Sequence, residues 1–105
     1  MTDLLQPITL SRRAVDEIIH IMETKNIPKN YYLRLGAKGG GGCGGAQLII
    51  GFDKQRETDL VYKQGNLDVL VDKKHVLFLI GKEVDFYEGA DASGFLFLDK
   101  EKQDS

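Results

Sequence analysis

Hydrophobic positions first recur at helical intervals. Val15, Ile18, Ile19 and Met22 fall three and four residues apart, on one face of a 3.6-residue period. Ser11 stands where a hydroxyl caps a first turn, and Lys25-Asn26 precede Pro28, so the spacing predicts an amphipathic helix over about 12–25. Before it, residues 1–7 read as a lead-in ending at Pro7, and Ile8 to Ser11 as the run into the helix.

From Tyr31 the period falls to two: Leu33 and Leu35 point one way, Tyr32 and Arg34 the other, as along a strand. Gln47 to Asp53 is a second strand with Leu48, Ile50 and Phe52 on one face, and polar 54–59 is a loop. Leu60 to Lys63 and Leu67 to Asp72 flank Gln64-Gly65-Asn66, which predicts a tight hairpin with glycine supplying positive φ. Lys73 to Leu79 reads as a short helix. Glu83 to Tyr87 and Gly94 to Leu98 are the last strands, separated by turn residues Gly89 to Ser93, with a polar tail over 100–105. One leading helix, many short strands and no repeated βα alternation indicate an α+β, mainly β fold of mixed or antiparallel strands. A single domain over 1–105, with its core at about 8–99, is expected.

Composition narrows the class. At 105 residues one modest core suffices, burying roughly 65% of the unfolded surface. The 42% hydrophobic and 29% charged fractions are those of an ordinary globular protein. A net charge of -2 without a basic stripe argues against nucleic-acid binding. The start of the chain lacks a signal-peptide pattern and no run approaches a membrane span, so a cytoplasmic protein with no membrane partner is expected.

One cysteine, Cys43, stands inside Gly36-Ala-Lys-Gly-Gly-Gly-Gly-Cys-Gly-Gly-Ala-Gln47. The string satisfies G-x-G-x-x-G, but that fingerprint needs a helix to begin there, and Gln47-Leu-Ile-Ile is a strand. Gly45-Ala46 also stands where a Walker loop needs Lys-Ser/Thr. A thiol nucleophile would need a base, and His20 and His75 both read as surface or packing residues. Glycines leave few side chains to bury the thiol, while their N–H groups, Gly42 and Gly44 nearest, can stabilise a thiolate or bound sulfide. Lys38 is near enough in sequence to assist, though an ordinary strand-end lysine is the simpler reading. Asp85, Glu88 and Asp91 surround the last turn, where hard oxygen donors could hold an iron ion but a solvated loop is the commoner outcome.

Arg34-Leu-Gly with Gly41-Gly-Cys43-x-Gly45 resembles the HesB-like, or A-type, iron-sulfur carrier family. The Ile8 to Ser11 lead, the Leu67 to Asp72 strand with its following short helix, Glu83-Val-Asp-Phe and Ser93-Gly-Phe-Leu-Phe97 match the family's stretches in order over about 8–99. The resemblance implies a HesB-like fold and a non-enzymatic iron-sulfur cluster assembly role, with iron or a labile cluster held by Cys43 beside Gly42 and Gly44. Its partners would be assembly or acceptor proteins, with two chains pairing as a homodimer to supply two thiolates. The family's second motif is a C-terminal Cys-Gly-Cys, whereas Leu98 here is followed by Asp-Lys-Glu-Lys-Gln-Asp-Ser105. Gly44 also replaces the usual serine, and Gln47-Leu48 the usual small-then-tyrosine pair. These departures leave open an alternative: an interaction module of the same fold that has lost cluster binding, with Cys43 residual or redox-responsive.

Overall fold

The computed structural model describes residues 7–38 and 47–99. Strand β1 (Ile8–Leu10) leads into helix α1 (Arg12–Thr24), followed by β2 (Tyr32–Lys38), β3 (Gln47–Asp53), β4 (Asp59–Gln64) and β5 (Leu67–Asp72). A 3-10 turn (Lys73–His75) runs into the single-turn helix α2 (Val76–Leu79), and β6 (Lys82–Glu88) and β7 (Ser93–Asp99) complete the order.

Helix α1 has the termini its sequence dictates. The Ser11 side chain accepts from the Ala14 N–H at 3.1 Å, satisfying one of the first-turn donors. At the other end Asn26 takes a left-handed φ of 52°, and the Ile27 N–H donates to the Met22 carbonyl at 3.1 Å, closing the helix one residue beyond Lys25. Ala14 and Ile18 are buried, with Val15, Ile19 and Met22 packed against the core.

The strands form two sheets, ordered β1-β6-β7 and β3-β2-β5-β4. Both sheets are mixed: β1 runs parallel to β6 and β2 parallel to β5, while the three hairpins β2–β3, β4–β5 and β6–β7 are antiparallel. The Gly65-Asn66 turn is as tight as expected, with Gln64 opposite Leu67 and Gly65 at φ 61°, the glycine-first arrangement whose twist suits a two-residue hairpin. The segment Ile8 to Leu10 is not merely a lead-in. It is a strand, so a strand precedes the leading helix, and its parallel partner lies in the last third of the chain.

The unpaired edge of β1 is satisfied by side chains of β4, which joins the two sheets. The Leu10 N–H donates to Gln64 Oε1 at 3.0 Å, and the buried Tyr62 hydroxyl donates to the Ile8 carbonyl at 2.7 Å. Burial raises the Tyr62 pKa well above its ordinary value, so the hydroxyl stays a donor. Leu33, Leu35 and Ala37 of β2, Val69 and Val71 of β5, and Val84 and Phe86 of β6 meet α1 in one core. Leu70, in register with Arg34 on the opposite face of β5, is fully buried as well.

Candidate functional site

Cys43, Gly42 and Gly44 lie outside the described residues, in the connection 39–46 between β2 and β3. The structure fixes both ends of that connection. Lys38 is directly opposite Gln47, the last of seven consecutive register pairs that begin at Tyr32 and Asp53. Strand β2 is interior, bonded to β3 along its whole length and to β5 over Leu33 to Leu35, so the hairpin is anchored on both sides of β2 three residues before the loop-proximal end, where β2 pairs with edge strand β3 alone.

One face of β2 is core, and the other carries polar groups. There Arg34 makes four hydrogen bonds with its five N–H donors. Its Nε donates to Asp53 at 3.0 Å, its two terminal nitrogens donate to Asp59 at 2.7 and 2.6 Å, and it also reaches the Lys54 carbonyl at 3.1 Å. Arg56 adds a bond to Asp53 at 2.9 Å, and its N–H donates to Asp59 at 2.7 Å. The forked guanidinium matches the carboxylate geometry of Asp59, whose side chain is fully buried, so a buried charge is neutralised at close range. The Arg34 hydrogen bonds hold the Asp59 carboxyl below its ordinary value against the opposing effect of burial. Asp53 is lowered first by the Lys54 N–H and then by Arg56 and Arg34, while Asp59 in turn raises Arg34. The network ties β2 to the β3–β4 connection and so stiffens the hairpin that carries the loop.

Two residues nearer the loop, Gly36 has a different neighbour. A Cβ there would stand 2.7 Å from His75 Nδ1. Only a residue without a side chain lets the imidazole lie on β2, and the contact seats the 3-10 turn against the strand end from which the loop departs. Asp72 starts that turn by accepting from the Lys74 N–H at 3.1 Å, and this bond first, then the Lys74 charge and the Thr58 hydroxyl, hold its carboxyl low.

The remaining candidates separate. His20 is exposed on α1, far in sequence and element from half-buried His75. Lys38 is exposed at the strand end. Asp85 is turned away from the last turn. It accepts from the Ser11 hydroxyl at 2.6 Å and from the Phe86 N–H at 2.8 Å, which lower its pKa, while Glu88 and Asp91 are exposed. Those three acids therefore form no oxygen site, and among the described residues no group of three or more His, Cys, Asp or Glu side chains could hold a metal ion. The Arg34 network escaped sequence reading. Its signal was an arginine at a polar strand position with aspartates at two later strand ends.

The profile of the family described as iron-sulphur cluster biosynthesis matches residues 6–101. The chain belongs to that family. The iron-sulfur cluster insertion protein ErpA of Actinobacillus pleuropneumoniae serotype 7 is 36% identical over 97 residues, 91% of this chain and 84% of that protein. The crystal structure of Escherichia coli SufA, involved in biosynthesis of iron-sulfur clusters, superposes with TM-score 0.69 at 26% identity, covering 95% of this chain and 86% of SufA. IscA crystallised with its [2Fe-2S] cluster shares the fold at TM-score 0.67 and 18% identity, covering 88% of this chain and 81% of IscA. The expected family and HesB-like fold class thus hold. Among the described residues no helix is long and apolar enough to cross a membrane.

Proposed function

We propose that this family member carries iron or a labile iron-sulfur cluster as cargo, holds it through Cys43, and passes it to assembly or acceptor proteins in the cytoplasm without catalysing a reaction. The carrying observation is the hairpin: the Lys38–Gln47 register between interior strand β2 and edge strand β3 brackets an eight-residue, glycine-rich connection containing the chain's one thiol. Relatives named for cluster insertion and biosynthesis support the cargo's identity, as does a fold neighbour with a [2Fe-2S] cluster.

One thiolate is a quarter of the usual four-ligand complement of a cluster. In this reading the single domain therefore acts as a homodimer, two Cys43 thiolates facing one cargo with small thiols or partner groups filling the other positions. Such a site exchanges its cargo readily, which suits delivery. A free thiol has a pKa of about 8.5, so the N–H groups of Gly42 and Gly44, and the iron itself, supply the bias toward thiolate.

Anaerobic reconstitution with iron and sulfide tests the proposal. The wild type gains visible charge-transfer absorption and bound iron, and Cys43→Ser gains neither. A wild type without bound iron would instead favour a module that has lost its cargo. Equal binding by both proteins would remove Cys43 from the site.

A further inference from the structure

The segment joining β5 to β6 has an unusual outer surface. From Lys73 to Lys82 the sequence holds three lysines and no acid, in a chain of net charge -2. Leu77 is 84% exposed and Phe78 47% exposed, whereas Leu79 is fully buried and Val76 packs on the core. Lys74, Leu77 and Phe78 stand at helical i, i+3 and i+4 positions, and Lys73 lies four residues before Leu77, so the four side chains form one contiguous face. Of the other exposed apolar residues, Ile49 and Val61 stand singly on β3 and β4, while Tyr87 and Leu96 are diagonal neighbours on one face of the β6–β7 hairpin, a face shared with Asp85 and without a lysine pair beside it.

Neither Lys73 nor Lys74 makes a salt bridge within 4 Å among the described residues, although the Lys74 charge helps to hold the Asp72 carboxyl low. Lys82 pairs with Asp99 at 3.5 Å, and the nearest acid, Asp72, is occupied by the Lys74 N–H and Thr58. Lys38 extends the positive charge. It lies on the same face of β2 as Gly36, two residues further on, and Gly36 carries the His75 ring. The His75–Gly36 contact also seats the segment, so the face is displayed by a fixed element.

We infer that the Lys73–Phe78 face is a docking surface for a protein segment that is acidic on one side and apolar on the other, such as an amphipathic helix bearing Glu and Leu. Charge complementarity selects this occupant: Lys73 and Lys74, free of salt bridges within 4 Å among the described residues, border two exposed apolar side chains, so this face offers an acidic, apolar segment both attractions at once, whereas the exposed Arg12–Arg13 pair has no exposed large apolar neighbour on its helix. The inference goes beyond the carrier reading, since the face contains neither Cys43 nor any metal-ligating set, and it stands or falls separately.

The test titrates the isotopically labelled full chain with a synthetic helical peptide that has Leu along one face and Glu along the other, and with a counterpart carrying Lys in place of Glu. No iron enters either the probe or the readout. The Glu peptide shifts the amide signals of residues 73–78, and added salt weakens it. Lys73→Glu/Lys74→Glu binds it about tenfold more weakly and now takes the Lys peptide, and Leu77→Asp, at a solvent-exposed position, loses about as much. The inference is overturned if both peptides bind alike, or if the Glu peptide shifts other residues. It is equally overturned if phosphatidylglycerol vesicles or a second copy of the chain occupy residues 73–78 while the Glu peptide does not.

Discussion

The four-stranded sheet contains two antiparallel hairpins that solve the same geometric problem differently. Between β4 and β5, two residues close the chain, with Gln64 opposite Leu67. Between β2 and β3, Lys38 stands opposite Gln47 in the same way, yet eight residues separate them. Strand ends in direct register need only a short turn, so the additional residues are not there to make the connection. The short turn belongs to the fold and the long one to whatever the fold presents. The support differs correspondingly. The long hairpin is reinforced by Arg34 and by the Gly36–His75 contact, while the short turn closes on one glycine at positive φ, flanked by the Lys63–Asp68 pair at 3.7 Å and by Gln64, which takes the Leu10 N–H.

Making the hairpins alike is the strongest way to break the contrast. Replacing residues 39–46 by Asn-Gly is expected to leave thermal unfolding and circular dichroism near wild type while abolishing iron and sulfide binding on reconstitution. Removing the reinforcement comes next. Arg34→Ala leaves the buried Asp59 carboxylate without its guanidinium partner, with the Arg56 N–H still bonded to it, and should cost about 3 kcal/mol, read from the denaturant midpoint. The sign with pH follows from the depressed Asp59 and Asp53 values. Their contribution is present above the ordinary carboxylate value of 3.8 and is lost as pH falls through the lower folded-state values, so acid unfolding of Arg34→Ala is less steep than that of the wild type.

Gly36→Ala drives a methyl group into His75 and is expected to cost about 1–2 kcal/mol, in the range for overpacking. Adding His75→Ala should recover most of that loss, and a double-mutant cycle by chemical denaturation measures it. The smallest effect is at the short turn. Gly65→Ala meets nothing closer than Val15 at 3.9 Å, so only its left-handed backbone resists, at about 1 kcal/mol.

What could be read from the residues was local. The Ser11 cap, the alternation of β2, the glycine turn of β4–β5 and the Gly-Cys string each lie within a few neighbouring positions, where propensity and periodicity act. The two parallel pairings had no such signal, because β2 and β5 meet across 36 residues (Leu33 opposite Val69) and nothing in either strand names its partner. Strand β1, at three residues, is too short to display a period. Asp85 looked like a member of an acidic turn cluster until β1 and β6 came together and gave it to Ser11. Arg34 was visible as part of a family motif, but its partners lie 19 and 25 residues away and only folding assembles them. Cys43 was legible as chemistry from the start, and the structure contributed the geometry of its mount.

The pairing of β1 with β6 also sets a timetable for the chain's birth. Ser11 bonds to Asp85 across 74 residues, and at bacterial-scale synthesis rates of 5–20 residues per second that separation is a delay of roughly 4–15 s. For that interval β1 and the apolar face of α1 are outside the ribosome without their sheet partner, and closing so long a loop carries its own entropy. The first segment made is therefore among the last secured. A nascent chain stalled before β6 would present Ile8, Leu10 and Ile18 to the nearest holding chaperone.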